Sequence, residues 1–488
     1  MFFCKKRIFS QTQKKDINIM KPYKIENLEI IDAGGEGKAV GKKDGLTVFV
    51  SFAVPGDIVD VEIYKKKKGY AEGRILNITK KSPHRIEPQC AHFGLCGGCK
   101  WQILDYETQL KFKQKQVEDC FRHLGKFEFP PVLPIMASQK QYEYRNKLEY
   151  TFSHLRWLND EDMSLRNAGN SLETRGLGFH IPGKFDKVLN INNCSLQVEP
   201  SNKIRNSVCT FAIKNNITFY NIRNHEGILR NLIIRNNIKN EIMVILSLTE
   251  MNDKIIQLLE FIKNEFPQIV SLFYVINTKL NDSISDLDPV LYAGAPHISE
   301  TMENLQFKIG PLSFFQTNGF QALELYKIAR AFAQISNEDV VYDLYTGTGT
   351  IALFIAQEAQ KVVGIEYVES AIEDAKYNAQ QNNITNTVFF AGDMKDVLNQ
   401  NCTKRNGNPD VVITDPPRAG MHPNVLARLL EMAPPKIVYI SCNPATQARD
   451  ITELAKKYSV AKVQPVDMFP HTHHVENVVL LLHQDSYG

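Results

Sequence analysis

The sequence predicts an α/β fold: a Rossmann-like sheet at the carboxyl end, a small β-barrel at the amino end and an α+β region between them. The first observation is that short β-branched apolar runs alternate with stretches of helical period from about residue 314 onward. Such alternation is typical of a doubly wound sheet with helices on both faces. The second is a glycine-rich loop after the first of these runs. The third is the amino-terminal pattern, in which short apolar runs and glycine turns follow one another without a helical period, as in OB-type barrels.

Seven strands are predicted for the carboxyl-terminal sheet. They cover residues 340–344, 362–366, 388–391, 411–414, 437–441, 461–466 and 475–483. Helices are expected over 370–382, between the second and third of these strands, and earlier over 102–124 and 253–266. Because only a short loop precedes the last strand, we expect it to pair antiparallel with its predecessor.

Composition limits the class of protein. At 488 residues the chain is too long for one core, and 43% hydrophobic with 23% charged residues is ordinary for a soluble protein. It contains no apolar run long enough to span a membrane, and its start lacks a secretion signal. We expect a cytoplasmic monomer with a disordered leader over residues 1–23, and Met1 and Met20 both remain open as the natural start. In a reducing compartment, the clustering of some of the nine cysteines indicates a metal or catalysis rather than disulfides.

The net charge of +3 is unevenly distributed, because lysines concentrate in the amino-terminal part. The run Lys65 to Lys68 is expected at a hairpin tip, with Tyr64 and Tyr70 on either side. Cations beside aromatic rings suit a single-stranded RNA backbone and its unstacked bases. The alternative is that these lysines only protect a sheet edge from pairing. We favour RNA binding.

The loop after the first strand of the sheet predicts a cofactor site. Gly347 and Gly349 allow close backbone approach, and Glu366, at the end of the next strand, is placed to accept ribose hydroxyls. Asp393 follows the third strand and could accept from an adenine amine. The loop has neither the third glycine of a dinucleotide site nor the Gly-Lys-Ser/Thr of a phosphate loop. S-adenosylmethionine, which has no phosphate, fits this pattern; a plain strand–helix turn is the alternative.

Cys442 is the candidate nucleophile. It lies at the end of a predicted strand, before Asn443 and Pro444, and Arg418 on a neighbouring strand end could lower its pKa. A buried structural cysteine is the alternative. Glu476 opens the last strand and could face the same crevice. A thiol, a carboxylate base and a methyl donor together predict pyrimidine C5 methylation, in which the thiol adds at C6 and activates C5.

A second cysteine cluster has metal-ligand spacing. Cys90, Cys96 and Cys99 form a Cys-x5-Cys-x2-Cys run, and zinc sites and iron–sulfur clusters both usually take four protein ligands. Cys194, in an Asn-rich turn after a predicted strand, is the best candidate for the fourth. Zinc remains the competing metal.

These motifs together resemble the RNA uracil-5-methyltransferase family, and the cysteine run is similar to its iron–sulfur branch that methylates 23S ribosomal RNA (the RlmD type). The resemblance rests on Asp-Pro-Pro-Arg at 415–418, Ser-Cys-Asn-Pro at 441–444, His-Val-Glu at 474–476 and the small barrel. It implies that the barrel is an RNA-binding TRAM domain and that a [4Fe-4S] cluster is held by four cysteines. Those cysteines are Cys90, Cys96, Cys99 and Cys194.

The resemblance also implies roles in the catalytic region. Cys442 would be the nucleophile, Glu476 the proton acceptor and Arg145 a residue on the substrate side. The implied contacts of S-adenosyl-L-methionine are Gln316, Tyr345, Thr350, Glu366, Asp393 and Asp415. Thr350 stands where many members of the family carry Asn.

The predicted domains follow from this reading. The barrel covers 24–88, the iron–sulfur domain 89–101 with 134–310, and the methyltransferase domain 102–133 with 311–488. The predicted reaction is C5 methylation of a 23S rRNA uridine. Transfer RNA methylation is an alternative, disfavoured by the expectation that the tRNA branch lacks both the cysteine run and the barrel. DNA cytosine-5 methylation and non-catalytic RNA binding are the others.

Overall fold

The computed structural model describes residues 21–486, which form two compact units that divide between Arg85 and Ile86. Most of the predicted leader, and Cys4 within it, lies outside the described residues. No helix in residues 21–486 is both long and apolar enough to cross a membrane.

The first unit is a closed barrel of five strands within the described range, in the order β1-β2-β3-β5-β4. The strands are β1 (Tyr23–Ala33), β2 (Ala39–Lys43), β3 (Leu46–Ser51), β4 (Ile58–Lys67) and β5 (Tyr70–Lys80). Alternating side chains such as Val59, Val61 and Ile63 fill its interior. The lysine run was placed slightly wrongly, because Lys65 to Lys67 continue β4 and only Lys68 and Gly69 make the turn.

The barrel lysines do not all present an open positive charge. Lys65 forms an ion pair with Glu72, whose other oxygen pairs with Lys38 at 2.8 Å. Lys66 and Lys67 lie over the rings of Tyr23 and Tyr70, each at 5.9 Å from the ring centroid. The predicted pairing of cations with aromatic rings is therefore present, with part of the charge already neutralised.

The second unit contains two large sheets. The central sheet has the order β12-β11-β10-β9-β6-β7-β8 and is mostly antiparallel, and a hairpin of β13 and β14 follows it. Its strands are β6 (Lys147–Ser153), β7 (Gly176–His180), β8 (Val188–Asn190), β9 (Leu229–Asn236), β10 (Ile242–Leu248), β11 (Ile269–Ile276), β12 (Val290–Gly294), β13 (Ile298–Met302) and β14 (Leu305–Ile309). The helices of this region are α2 (Asp160–Asn167), α3 (Ser201–Lys214) and α4 (Asp253–Glu265).

The carboxyl-terminal sheet has the order β17-β16-β15-β18-β19-β21-β20. Its strands are β15 (Val340–Leu344), β16 (Lys361–Glu366), β17 (Thr387–Ala391), β18 (Val411–Thr414), β19 (Lys436–Ser441), β20 (Tyr458–Val466) and β21 (Glu476–His483). Strands β15 to β19 are parallel, whereas β21 pairs antiparallel with both β19 and β20. The Rossmann-like fold and the antiparallel last strand are confirmed.

Helices cover this sheet, and the predicted strands and helices differ from the observed ones mainly at their ends. The helices are α5 (Gly319–Ala333), α6 (Thr350–Ile355), α7 (Glu369–Gln381), α8 (Met394–Val397), α9 (Gln400–Asn406), α10 (Pro423–Met432) and α11 (Pro444–Leu454). The strand predicted over 461–466 begins earlier, at Tyr458, because a bulge near Val460 keeps the pairing with β21 going.

Helix α1 (Tyr106–Asp119) lies far from this sheet in sequence but packs against it. It begins later than predicted because Asp105 caps it, accepting from the Thr108 amide, and a π-helical turn over Cys120–Gly125 extends it. Val117 and Phe121 are fully buried in the same apolar cluster as the sheet residues. Helix α1 therefore shares a core with the sheet, whereas the predicted domain limits remain a prediction.

Candidate active site

The carboxyl ends of neighbouring strands bring three predicted site residues to one edge of the sheet. Asp415 follows β18, and Cys442 follows its parallel neighbour β19. Glu476 opens β21, in which Asn477 pairs with Ser441. Continuing this antiparallel register places Glu476 opposite Cys442. A crevice at the carboxyl edge of an α/β sheet is the usual position of a ligand.

Hydrogen bonds fix the turn that carries Cys442. Asn443 caps α11 by accepting from the Ala445 amide, as expected for an Asn before a helix that begins with Pro. The side-chain amide nitrogen of Asn443 and the Thr446 hydroxyl both donate to the Arg418 carbonyl, each at 3.2 Å. The Ser-Cys-Asn-Pro turn is thus tied directly to the Asp-Pro-Pro-Arg loop.

Three carboxyl groups lie near one another here, and within residues 21–486 none of them forms an ion pair. Burial raises the pKa of Glu476 to about 8, and the charge of Asp415 adds to the rise. Burial also raises the pKa of Asp415 and of Asp343 to about 7. The hydroxyl of Tyr326 is within electrostatic reach of all three, and burial and these charges raise its pKa well above the usual value. These carboxyls accept a proton more readily than ordinary ones.

The thiol of Cys442 is held in its neutral form. Burial raises its pKa to about 11, and the charges of Glu476 and Asp415 add to this. Arg418 acts in the opposite direction, as predicted, but the net shift is upward. Arg418 therefore lowers the pKa as predicted, but burial and the two carboxyl charges outweigh its effect. The two carboxylates lie nearby, and the Arg418 residue is exposed to solvent.

The glycine loop is held in place by hydrogen bonds to Asp343, a residue that the sequence analysis missed. Asp343 is fully buried at the end of β15, where it accepts from the Thr346 hydroxyl and, at 3.0 Å, from the Ala352 amide. Glu366 accepts from the Gly347 amide at 3.1 Å. Gly347 has a φ of +55°, and a Cβ there would meet no atom within 4 Å, so open space lies over this part of the loop.

The remaining predicted cofactor residues surround this loop. Tyr345 has a φ of +64° and is half-buried, and Thr350 is the buried first residue of α6. Asp393 caps α8 and forms an ion pair with Lys395 at 2.8 Å. Gln316 lies near enough to the Tyr326 hydroxyl to lower its pKa, which places Gln316 beside the carboxyl cluster. Tyr345, Thr350 and Asp393 lie at the carboxyl edge of the sheet, whereas Gln316 lies shortly before α5.

Helix α1 holds the segment that leads to Glu476. The Lys113 ammonium group, fully buried, contacts the Asp467 carboxylate at 2.5 Å and donates to the Phe469 carbonyl at 2.9 Å. The Gln109 side chain accepts from the His471 amide at 2.8 Å. The predicted methyltransferase domain already groups 102–133 with 311–488, but the individual contacts, between residues more than 350 positions apart, were not predicted.

Two histidines of this segment are neutral. His473 and His474 lie with ring centroids 4.2 Å apart, and burial lowers their pKa values to about 3 and about 4. The positive charge of Arg418 contributes to both shifts. Arg145, the predicted substrate-side residue, lies with its guanidinium 6.0 Å from the Phe469 ring centroid and so borders the same segment.

Cys194 lies near Cys90, Cys96 and Cys99, although it follows Cys99 by 95 residues in the sequence. Burial raises the pKa of Cys99 to about 12, and the negative charges of Cys194, Cys96 and Cys90 add to the rise. The side chains of Cys96 and Cys194 pack on one apolar cluster. Yet within residues 21–486 no group of three or more His, Cys, Asp or Glu side chains is arranged so that it could hold a metal ion.

The four thiols form a donor set of the kind that both competing metal centres take. Zinc sites and [4Fe-4S] clusters can each bind four cysteine thiolates. The charges of Cys90, Cys96 and Cys194 act on the pKa of Cys99, and this chemistry fits either centre.

Comparisons with known proteins agree with the site. A family model for tRNA (Uracil-5-)-methyltransferase matches residues 297–484, and a TRAM domain model matches residues 24–76. The chain is 54% identical over 450 residues to an uncharacterized RNA methyltransferase of Bacteroides thetaiotaomicron, covering 91% of this chain and 99% of the relative. A relative of the same description from Porphyromonas gingivalis is 50% identical over 463 residues, covering 93% of this chain and 99% of the relative.

The chain belongs to this family of RNA methyltransferases. It is an RNA (uracil-5-)-methyltransferase that uses S-adenosyl-L-methionine and carries an amino-terminal TRAM domain. Membership of an RNA methyltransferase family favours RNA methylation over the DNA cytosine and the non-catalytic alternatives.

A solved structure resembles almost the whole chain. It is the tRNA (uracil-54, C5)-methyltransferase of Pyrococcus abyssi in complex with S-adenosyl-L-homocysteine, with a TM-score of 0.72 and 28% identity over 94% of this chain and 100% of that one. The barrel strands, from Tyr23 to Lys80, make up about 12% of this chain, so the match includes part of the barrel. A barrel therefore does not distinguish rRNA from tRNA enzymes, contrary to the expectation above.

The crevice charges predict the reactivity of Cys442. In the protein without cofactor, alkylation of Cys442 by iodoacetamide should be slow at pH 8 and accelerate up to about pH 11, since only the thiolate reacts. Asp415→Asn removes one of the negative charges that raise this pKa, so its alkylation profile should move to lower pH. Mass spectrometry of the Cys442 peptide measures the rate. Asp393→Asn is the control, because Asp393 is not among the charges that act on Cys442. An unchanged profile in Asp415→Asn would contradict this electrostatic account.

Proposed function

We propose that this enzyme methylates C5 of a uridine in 23S ribosomal RNA through covalent addition of Cys442 to C6 of the base. The observation that carries the proposal is the pairing of β19 with β21, which sets a half-buried thiol opposite a buried carboxyl. A nucleophile and a base on adjacent strand ends suit a reaction that needs both on one pyrimidine ring.

The roles of the two residues follow from the chemistry of uracil. C5 is not nucleophilic until the Cys442 sulfur bonds to C6, which places negative charge on C5 and O4. S-adenosyl-L-methionine, when bound, supplies the methyl group that C5 accepts. Glu476 then takes the C5 proton, and the sulfur–C6 bond breaks to restore the double bond. A carboxyl whose pKa is raised to about 8 is well matched to take a proton near neutral pH.

We further propose which residues hold the methyl donor. Glu366 would accept from the ribose hydroxyls, Asp393 from the adenine amine, and Tyr345 and Thr350 would line the loop. Gln316 and Asp415 would lie beside the donor's reacting end. The buried carboxyls Asp343, Asp415 and Glu476 favour a cationic group in the crevice, and a sulfonium is cationic. The same positive charge would favour the Cys442 thiolate.

Transfer RNA is the second candidate substrate. It is favoured by the match to the tRNA (uracil-54, C5)-methyltransferase, which covers all of that chain. The catalytic geometry is the same for either RNA, so only the RNA itself distinguishes them. We retain 23S rRNA as the first candidate on the resemblance of the cysteine run.

We also propose that Cys90, Cys96, Cys99 and Cys194 hold a [4Fe-4S] cluster with a structural role. Addition of a thiol and transfer of a methyl group require no electron, so the reaction gives a redox centre no task. The ligands join the segment before α1 to the turn after β8, which are far apart in sequence. A metal centre in that position stabilises the fold by linking the two segments.

Cys442→Ala should abolish methyl transfer while S-adenosyl-L-methionine still binds, because the thiol activates the base and does not hold the cofactor. Wild-type enzyme should form a covalent adduct with RNA that contains 5-fluorouridine, since fluorine cannot leave as a proton. Both 23S rRNA and tRNA transcripts are offered, and 5-methyluridine is mapped in each. Cys402→Ala, a buried cysteine outside the crevice, is the control. Activity retained in Cys442→Ala would exclude the mechanism.

Glu476→Gln should stop the reaction one step later. The methylated base would remain attached to Cys442, because the C5 proton must be removed before the sulfur can leave. The expected signature is a protein–RNA adduct with ordinary uridine, seen on a denaturing gel. Glu366→Gln serves as control, since it should weaken cofactor binding without accumulating an adduct. Release of methylated RNA at the wild-type rate by Glu476→Gln would show that another group removes the proton.

Protein purified without oxygen should contain four irons and four sulfides per chain. Single Ser variants of the four ligands should lose iron, sulfide and RNA affinity together, as measured by elemental analysis and filter binding. Cys209→Ser, in α3 of the same region, should lose none of these. Stoichiometric zinc without sulfide would replace the cluster by a zinc site, and full iron content in Cys194→Ser would remove Cys194 from the ligand set.

A further inference from the structure

A cavity of about 240 Å³ lies between the central sheet and α5, apart from the catalytic crevice. Its walls come from the segment before β6, from the turn after β9 and from the first turns of α5. Ile238, Phe320 and Leu323 give it apolar surface, and Ile238 is 50% exposed. A nucleobase fits within a space of this size. None of the roles assigned above uses it.

Glu300 directs one carboxylate oxygen towards this cavity. The residue is 4% exposed, and its Oε1 accepts from the amides of Thr301 at 3.1 Å and Ile238 at 3.3 Å. Among the described residues, its Oε2 has no hydrogen-bond partner; it lies 3.7 Å from the position of a Cβ on Gly319. A carboxylate oxygen that borders a cavity and receives no donor from the protein can accept a hydrogen bond from a ligand that brings one.

The charge of the cavity selects the kind of group that enters. Glu143 and Glu300 line the cavity, and so does Glu324, whose charge is compensated by Lys327 at 2.9 Å. The cation in the lining is Lys140, which lies over the Phe320 ring at 4.5 Å from its centroid. A phosphate would be repelled by this set. Amide side chains of Asn146, Asn236 and Asn240 add further hydrogen-bonding groups. Apolar walls with acceptors and amides suit a base edge rather than an RNA backbone.

The cavity adjoins segments that border the active site. Tyr144 lines the cavity, and its hydroxyl donates to the Pro470 carbonyl at 3.1 Å, in the segment that leads to Glu476. Asn146 also lines it, and its amide donates at 2.9 Å to the carbonyl of Gln316. Tyr144 and Asn146 thus connect the cavity to the segment before Glu476 and to Gln316.

We infer that this cavity binds a second, unstacked nucleobase of the substrate RNA, one that carries an exocyclic amino group and donates it to Glu300. Uracil carries a carbonyl where cytosine carries its amino group, so a base held with that position facing Glu300 presents an acceptor instead of a donor. The site would therefore favour adenine, cytosine or guanine over uracil. The inference deepens the proposed function, because it adds a recognition position to the RNA that the enzyme methylates.

Glu300→Gln tests this inference directly, because it should reverse the hydrogen-bonding preference of the cavity. The backbone amides of Ile238 and Thr301 would retain the Gln carbonyl oxygen, and the amide NH2 would then face the cavity. An acceptor becomes a donor at nearly constant shape. The preferred base should change from one that carries an amino group to one that carries a carbonyl at the same position.

The RNA is the transcript, rRNA or tRNA, that wild-type enzyme retains most tightly. Single nucleotides around the bound uridine are replaced one at a time. Adenosine→inosine and cytidine→uridine each exchange an amino group for a carbonyl, whereas guanosine→inosine removes the amino group. At one position, the replacement should weaken RNA binding by the wild-type enzyme about tenfold, as expected for one hydrogen bond to a charged group. The same replacement should not weaken RNA binding by Glu300→Gln. Glu324→Gln is the matched control, because that rim carboxylate is already paired with Lys327 at 2.9 Å.

Filter binding makes the test independent of methyl transfer, so failure of the proposed reaction and failure of the cavity site are separately visible. Absence of any amino-sensitive position with wild type would overturn the inference, with no variant required. A sensitive position that is equally sensitive in Glu300→Gln would overturn it as well. Loss of 5-methyluridine formation with the binding pattern intact would count against the proposed reaction alone.

Discussion

The buried ion pair of Lys113 and Asp467 is the contact on which the arrangement of the active site depends. Both side chains are fully buried, and the Tyr106 hydroxyl also donates to Asp467 at 2.8 Å. Burial lowers the pKa of Lys113, and the nearby Asp467 carboxylate opposes this fall. Loss of one partner would leave an uncompensated charge in the core, a change that typically costs about 3–5 kcal/mol. The pair joins α1 to the end of β20, only nine residues before Glu476.

The electrostatics of the crevice explain why the site needs its ligands to become reactive. Carboxyls with pKa values near 7 and 8 surround a thiol with a pKa near 11, so the protein alone stabilises neither thiolate nor carboxylate. A cationic methyl donor would lower the pKa values of both the thiol and the carboxyls, since a positive charge nearby favours their ionised forms. A thiol that becomes nucleophilic only when the donor is bound would avoid unproductive addition to RNA.

Sequence alone predicted those parts of the site that depend on local pattern. β-branched runs located the strands of the catalytic sheet, and the rule that ligands bind at carboxyl strand ends located Cys442, Glu366 and Asp415. It could not find Tyr326, Asp343 or Lys113, because each acts through contacts set by tertiary packing and none has a distinctive neighbouring sequence. The sign of the Cys442 pKa shift was missed for a related reason. Burial and the distances to three charges, rather than the presence of one arginine, decide it.

The cysteine segment and the segment that leads to Glu476, the proposed base, are connected through His471. The amides of Lys100 and Trp101, directly after Cys99, both donate to the His471 carbonyl at 2.9 Å. The amide of His471 in turn donates to Gln109 of α1, so this one residue is held from both sides. Five residues further along the chain is Glu476. A cluster at the four cysteines would therefore act on catalysis without exchanging an electron, by fixing the segment from which the base is positioned. This gives an enzyme with no redox step a physical reason to retain such a centre.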